Sequence, residues 1–434
     1  QRQVPAEAYY GIETLRGKEN FEITKRGICR QMIKALAIVK KAAAKANVDA
    51  LNIDEKVGKA IMLACDEILN GRLHGQFVTD LIQGGAGTSM NMNANEVIAN
   101  RANELLGGKK GVYDFVHPND HVNFGQSTND VIQTAGKIAI VKQLKKLQVE
   151  LKKLYNAYLN KATEFKDVIK MGRTHLQEAL PLRLGQEFSA YASALNRDMK
   201  RIDVAIEALL EVNMGATAIG TSLNANEKYR KKVIYYLNKF SGEQIKPAKD
   251  LIDATRNFDT FGQASSTLKL LALNLSKTAS DLRLMASSGS NGFSEITLPH
   301  VQPGSSIMPG KYNPVVPEMV NQVCFYVIGL DVTITKAIEA GQLELNVFGP
   351  IILMSLFEQI TTLRRATRTF HNLAISGLIA NTTKYKTDNS IYLITALSPH
   401  LGHEEACNVV NEAISSEKTI KQVLLDHHIL SEEI

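Results

Sequence analysis

The segment Gly304 to Pro314, GSSIMPGKYNP, gathers two hydroxyls, a lysine and a carboxamide between residues that break regular structure. Pro303, Pro309 and Pro314 forbid a continuous helix, and Gly304 and Gly310 open backbone angles closed to other residues, so the segment reads as a functional loop. Ser305 and Ser306 sit where a reacting atom can reach them. Lys311 and Asn313 flank Tyr312; in an extended segment they point the same way and together can hold a carboxylate by charge and hydrogen bond. A phosphate-binding loop fits less well, because five residues separate Gly304 from Gly310 where that motif has four, and Tyr312 stands where its magnesium-binding Ser or Thr belongs. Taken alone, the loop would also pass for a plain interhelix connection.

Other stretches are rich in short donors. Gln83 to Asn93, QGGAGTSMNMN, has three glycines and then small polar side chains ahead of a helical run to Leu106, so Thr88 is either an N-cap or a ligand-binding hydroxyl. His117 to Asp130, HPNDHVNFGQSTND, contains His117 and His121 at a spacing of four, but Pro118 argues against the helix that would align them on a metal, and both read as structural or rim residues. His175 in GRTHLQ, taken alone, is a core histidine.

These stretches occur in one order along nearly the whole chain: GAGTSMNMNANEVIANRA, GQSTND, GRTHLQEALPLRLGQEF, NMGATAIGTSLN, GSSIMPGKYNPVVPE and GQLELNV. Together they resemble the signatures of the fumarase and aspartase superfamily, whose members eliminate a group from a succinyl skeleton to give fumarate. The resemblance implies an all-α, three-domain fold with a central bundle of five long helices, and a homotetramer whose sites are shared between subunits. It implies Ser305 as the base that takes the Cβ proton, and Thr88, Ser127, Thr128 and Ser306 as donors to the aci-carboxylate. His175, beside Thr174 and paired with Glu318, would meet the amino group together with Asn129, while Lys311 and Asn313 take the α-carboxylate. No metal or other cofactor is implied. QSTND and GQLELNV lean towards the ammonia-lyase branch, acting on L-aspartate; a fumarate hydratase, or a lyase for a related substituted succinate, would use the same residues. A catalytically silent structural homologue is the remaining alternative, and retention of Ser305, Lys311, Asn313, His175 and Thr88 together argues against it. The chain departs from the family pattern at Tyr312, where Val is usual, at Phe124-Gly125, at Gln133 and at His300.

Several elements must position these residues. From Asp130 apolar residues recur at spacings of three and four through Leu144, Leu147, Leu151, Leu154 and Tyr158, which predicts an amphipathic helix to Phe165, about 50 Å long at 1.5 Å per residue. Comparable patterns predict helices over Gly185–Val212, Thr255–Ser287, Glu318–Leu345 and Ile351–Leu378. Shorter helices are expected from Met32 to Asn47 and after Asp54, whereas Tyr9 to Ile23 reads as irregular. The expected domains are 1–128, 129–383 and a small helical 384–434.

At 434 residues the chain exceeds one ordinary core, and its 44% hydrophobic and 22% charged fractions are those of a soluble globular protein. Four scattered cysteines without a CxxC pair suit a reducing cytoplasm better than a disulfide scaffold. A net charge of +6 without a nucleic-acid-reading motif gives no footprint for DNA or RNA, though it favours the approach of a dicarboxylate. No uninterrupted apolar run approaches the roughly 18 residues of a membrane span.

Overall fold

The computed structural model describes residues 3–287, 291–382 and 394–429. Helix occupies 64% of the chain and the strands are few and short, which makes the fold class all-α as expected. The five long helices are α5 (Thr128–Glu164), α6 (Leu184–Leu209), α9 (Asp259–Met285), α10 (Val315–Glu339) and α11 (Gly349–Phe370). Two compact units emerge: residues 1–148, 199–272 and 325–364 form the first, and 149–198, 273–324 and 365–434 the second. Each of the five long helices contributes a portion to both.

In the first unit α2 (Arg30–Asp49), α3 (Glu55–Leu69) and α4 (Thr88–Leu105) pack around Leu36, Val39, Ile61, Ala64, Ile68, Val97 and Ile98, all fully buried. Burial of a Leu or Ile side chain contributes about 1.5–3 kcal/mol, so this face outweighs any helix propensity. Asp54 caps α3 by accepting from Lys56 N at 2.8 Å. The segment expected to be irregular contains α1 (Ile12–Asn20). Its cause is distant in sequence: buried Glu96 of α4 accepts from the N–H groups of Gly11, Glu13 and Thr14 at 2.8, 2.9 and 3.0 Å, satisfying donors that start the helix. Portions of α9, α10 and α11 meet at buried Asp331, which accepts from Ser265 Oγ at 2.7 Å and Lys269 Nζ at 2.6 Å, while Gln359 donates to the same Ser265 hydroxyl at 3.2 Å.

α10 ends six residues before the sequence pattern does, because Asn346 folds back and donates to the carbonyls of Ala337 and Ile338 at 2.9 and 3.2 Å, ending the ladder. This helix is long and apolar enough to cross a membrane by length and composition alone, with a mean hydropathy of 1.3 over its best window, of which 39% is buried. It carries Phe325, Tyr326 and Val332 at 63%, 46% and 59% exposure.

The second unit holds an aromatic cluster, with Phe165 and Phe188 edge to face at 5.5 Å and Tyr158 and Tyr191 6.0 Å apart. It also holds a hairpin of β1 (Ile169–Thr174) and β2 (Gln177–Arg183), antiparallel, with an irregularity between Met171 and Arg173. At the end of the chain α12 (Ile394–Leu401), α13 (His403–Ser416) and α14 (Ile420–Asp426) close around an apolar cluster of their own, including Val409, Val423 and Leu424. Part of the expected 384–434 domain, residues 384–393 and 430–434, lies outside the described residues.

Candidate active site

The expected residues fall into two groups, one in each unit. In the first unit they occupy two helix starts. Thr88 opens α4 after Gly87, whose φ of +95° disfavours a side chain and where an added Cβ would lie 3.2 Å from Ile132 of α5. Thr128 opens α5, with Ser127 just before it and Asn129 just after. Asn91, one turn into α4, donates to Thr128 Oγ1 at 3.2 Å, which brings the two helix starts together. Free N–H groups and short hydroxyls at helix starts suit an anion. Thr88 is exposed, its hydroxyl donating to Gly85 O at 2.6 Å; Ser127, Thr128 and Asn129 are half-buried.

Two buried charged residues without an expected role, Asp130 and Lys40, hold the group. Asp130, fully buried, accepts from Ser127 N at 3.0 Å, Gly215 N at 3.1 Å and Thr217 N at 3.0 Å, tying the start of α5 to the loop NMGATAIGTSLN. Asn129 reinforces the tie by donating to Ala218 O at 2.6 Å. Burial pushes the Asp130 carboxyl up to about 6, against the three N–H donors and the nearby Lys40 charge. Lys40 of α2, also fully buried, donates to Asn123 Oδ1 at 2.8 Å and Gln126 Oε1 at 3.0 Å, and burial lowers its ammonium to about 7. An amine that has lost one proton keeps two N–H bonds, one for each of these acceptors. The readable signal was Ser-x-x-Asp at 127–130, in which the acid returns to the N-cap amide as in a capping box. Above this network opens a cleft of about 460 Å³ lined by Asn123, Gln126, Ser127, Thr217 and Asn224.

His117 and His121 bond each other's surroundings, with His117 N donating to His121 Nδ1 at 2.8 Å. A five-residue helical turn, Pro118–Val122, does form despite the proline, because its first position needs no N–H. Among the described residues no three His, Cys, Asp or Glu side chains gather in a metal-binding arrangement.

In the second unit His175 is not a core residue. It and Leu176 form the tip of the β1–β2 hairpin, both at positive φ (+55° and +61°), the geometry of a tight two-residue turn, and Thr174 and His175 are exposed. The hairpin's base is fixed by buried Glu295, which pairs with Lys170 at 2.6 Å and with Arg173. Glu187 adds a second contact to Lys170 at 3.1 Å, and burial raises its carboxyl. Glu295 immediately precedes β5 (Ile296–Thr297), the strand leading to the loop of Ser305.

That loop is closed at its neck, where Gly304 N donates to Lys311 O at 2.9 Å and Asn313 Nδ2 donates to Gly304 O at 3.0 Å. A Cβ on Gly304 would lie 2.3 Å from Lys311 O, so the neck requires glycine. Ser305 Oγ accepts from Ile307 N at 3.3 Å. Ser306 and Lys311 are exposed, and no ion pair holds Lys311 among the described residues. Glu318 lies in the first turn of α10, its N–H bonded to Pro314 O at 3.1 Å; within one chain it makes no hydrogen bond to His175 among the described residues.

The first unit offers hydroxyls at helix starts, and the second a serine and a lysine on a glycine-necked loop and an exposed histidine; hydroxyls and a lysine are groups suited to gripping carboxylates. Residues 1–329 match the family model described as Lyase, and 393–434 match Fumarase C C-terminus. An aspartate ammonia-lyase of Bacillus subtilis is 52% identical over 435 residues, covering 100% of this chain and 92% of the relative. That of Escherichia coli K12 is 46% identical over 436 residues, covering 99% and 91%. Among solved structures, a fumarate lyase:delta crystallin from Brucella melitensis bound to cobalt superposes with a TM-score of 0.96 at 45% identity, covering 98% of this chain and 94% of that one. A class II fumarase from Schistosoma mansoni gives a TM-score of 0.96 at 34% identity, covering 99% and 94%. Over its full length, therefore, the chain belongs to the lyase family that contains the aspartate ammonia-lyases and the class II fumarases.

Proposed function

We propose that the chain catalyses the reversible deamination of L-aspartate to fumarate and ammonia, as a carbon–nitrogen lyase. The observation that carries this reading is identity of 46–52% across the whole chain with relatives named aspartate ammonia-lyase, against 34% with the class II fumarase.

The Cβ proton of aspartate is a very weak acid, and its removal places a second negative charge on the adjacent carboxylate. Thr88, Ser127, Thr128 and Ser306 donate to that aci-carboxylate, each donor being worth on the order of a hundredfold or more in rate. Ser305, as its alkoxide, takes the proton; the electron pair moves into the carboxylate, then returns to form the double bond as ammonia leaves Cα. Lys311 and Asn313 hold the α-carboxylate. Thr174, Asn129 and His175, with Glu318 behind it, surround the departing amine. Supporting this division, the first unit supplies fixed helix-start hydroxyls and the second supplies the groups on exposed turns.

The working form is a homotetramer with sites shared between subunits and a cytoplasmic setting, built on domains 1–128, 129–383 and 384–434. Exposed Phe325, Tyr326 and Val332 on α10 favour such an assembly, since soluble monomers seldom leave so much apolar side chain together on one helix.

The test is the ultraviolet absorbance of fumarate when purified protein meets L-aspartate, with L-malate and a Ser305→Ala variant alongside. A rise with aspartate that Ser305→Ala abolishes is expected. A rise with malate alone would replace the reading with a fumarate hydratase, and none with either would leave a lyase for another substituted succinate or a silent homologue.

A further inference from the structure

Among the described residues, the Ser305 loop has one ring-to-ring contact. The rings of His300 and Tyr312 lie face to face, with centroids 3.6 Å apart and planes 5° from parallel. His300 belongs to the strand-side limb after β5, and Tyr312 to the returning limb between Lys311 and Asn313. Both line a cleft of about 150 Å³ with Thr297, Pro299 and Asn313. The tip between them is open: Ile307 is 83% exposed and Met308 45%. Among the described residues, the other bonds across the neck are the two made by Gly304.

We propose that His300 and Tyr312 form a latch that sets the position of Lys311 and Asn313, making both rings positioning residues for the grip on the substrate's α-carboxylate. The assignment of that grip rests on the function proposed above; the latch itself does not. Among the described residues Lys311 has no ion-pair partner, so the position of its backbone sets the region its ammonium can reach. Lys311 O bonds Gly304 N, and Asn313 Nδ2 bonds Gly304 O, so whatever fixes residue 312 fixes both neighbours and the neck below Ser305. The stack acts on the limb that binds and leaves the tip with Ser305 and Ser306 free to move.

An aromatic pair is worth about 0.5–1.5 kcal/mol beyond its burial. At about 1.4 kcal/mol per tenfold, losing it changes the populated fraction roughly two- to tenfold. In the full-length protein, His300→Ala and Tyr312→Ala should each speed hydrogen exchange at the Gly304 and Lys311 amides by about that factor, while Tyr312→Phe, which keeps a stacking ring, exchanges like wild type. The KM for L-aspartate should rise by a similar factor with kcat within about twofold, and the double alanine variant should be no worse than either single one. Wild-type exchange in His300→Ala, or additive effects in the double variant, would overturn the latch. Faster exchange in a protein with no activity on aspartate would leave the latch standing and reject the function instead.

Discussion

Around Ser127 the backbone amides have fixed partners: Asp130 accepts from three of them, Asn129 closes onto Ala218, and Lys40 fills two amide oxygens from beneath. Around Ser305 the hydroxyl accepts one long bond, Ser306 and Lys311 face outward, and two neck bonds and one ring stack give the segment its shape. The first region is preorganised through burial; the second is held at its base and free at its tip. A developing carboxylate charge needs donors already in place, because reorganisation at that moment adds to the barrier. A base that must admit substrate and then reach Cβ needs the opposite. The two regions should therefore fail differently, the helix-start region through stability and the loop through substrate binding and turnover.

The sharpest separation comes from Ser305→Ala, for which kcat should fall by about 10²–10⁴ with an unchanged urea midpoint. A drop in midpoint with activity retained would break the comparison. Asp130→Ala should do the reverse, lowering stability by about 3–5 kcal/mol by leaving three amides and Lys40 without their acceptor and counter-charge. Equilibrium unfolding by circular dichroism measures it, and a variant as stable as wild type would show that the network does not stabilise the start of α5. Gly304→Ala should lower stability less than Asp130→Ala, because the clash is confined to an exposed loop, yet raise KM, because the added methyl opens the neck against Lys311 O.

The smallest effect is a slope. Lys40 falls to about 7 in the folded protein from an ordinary 10.5. Between those values the unfolded chain holds a proton that the folded chain has released, so stability contributed at this site rises with pH from about 7 to 10.5. Unfolding midpoints across that range should rise more steeply for wild type than for Lys40→Met; equal slopes would place the Lys40 charge in water rather than in the core.

Periodicity revealed the long helices because each carries enough buried apolar side chains to define a face: α5, expected from Asp130 to Phe165, runs from Thr128 to Glu164. The ends were less legible, as at α10, where a single returning amide stops the helix inside an apolar pattern. α1 escaped notice because its capping acid lies more than eighty residues away in sequence. The hairpin did too, for its tip is His-Leu rather than the Asn-Gly that signals such turns. Among the proposed functional groups, the hydroxyls and the lysine stand out in the sequence by type, since the proposed chemistry needs those atoms. Asp130 and Lys40 were not, because a supporting charge declares itself only by what surrounds it.

The outward row of Phe325, Tyr326 and Val332 on α10 has one more consequence. Where such a face is covered only by association, folding and assembly become a single equilibrium governed by mass action, and thermal resistance becomes a property of the solution as much as of the chain. Dilution would then unfold what mutation leaves intact, and an assay run at nanomolar protein would measure the supply of partners before it measured the chemistry.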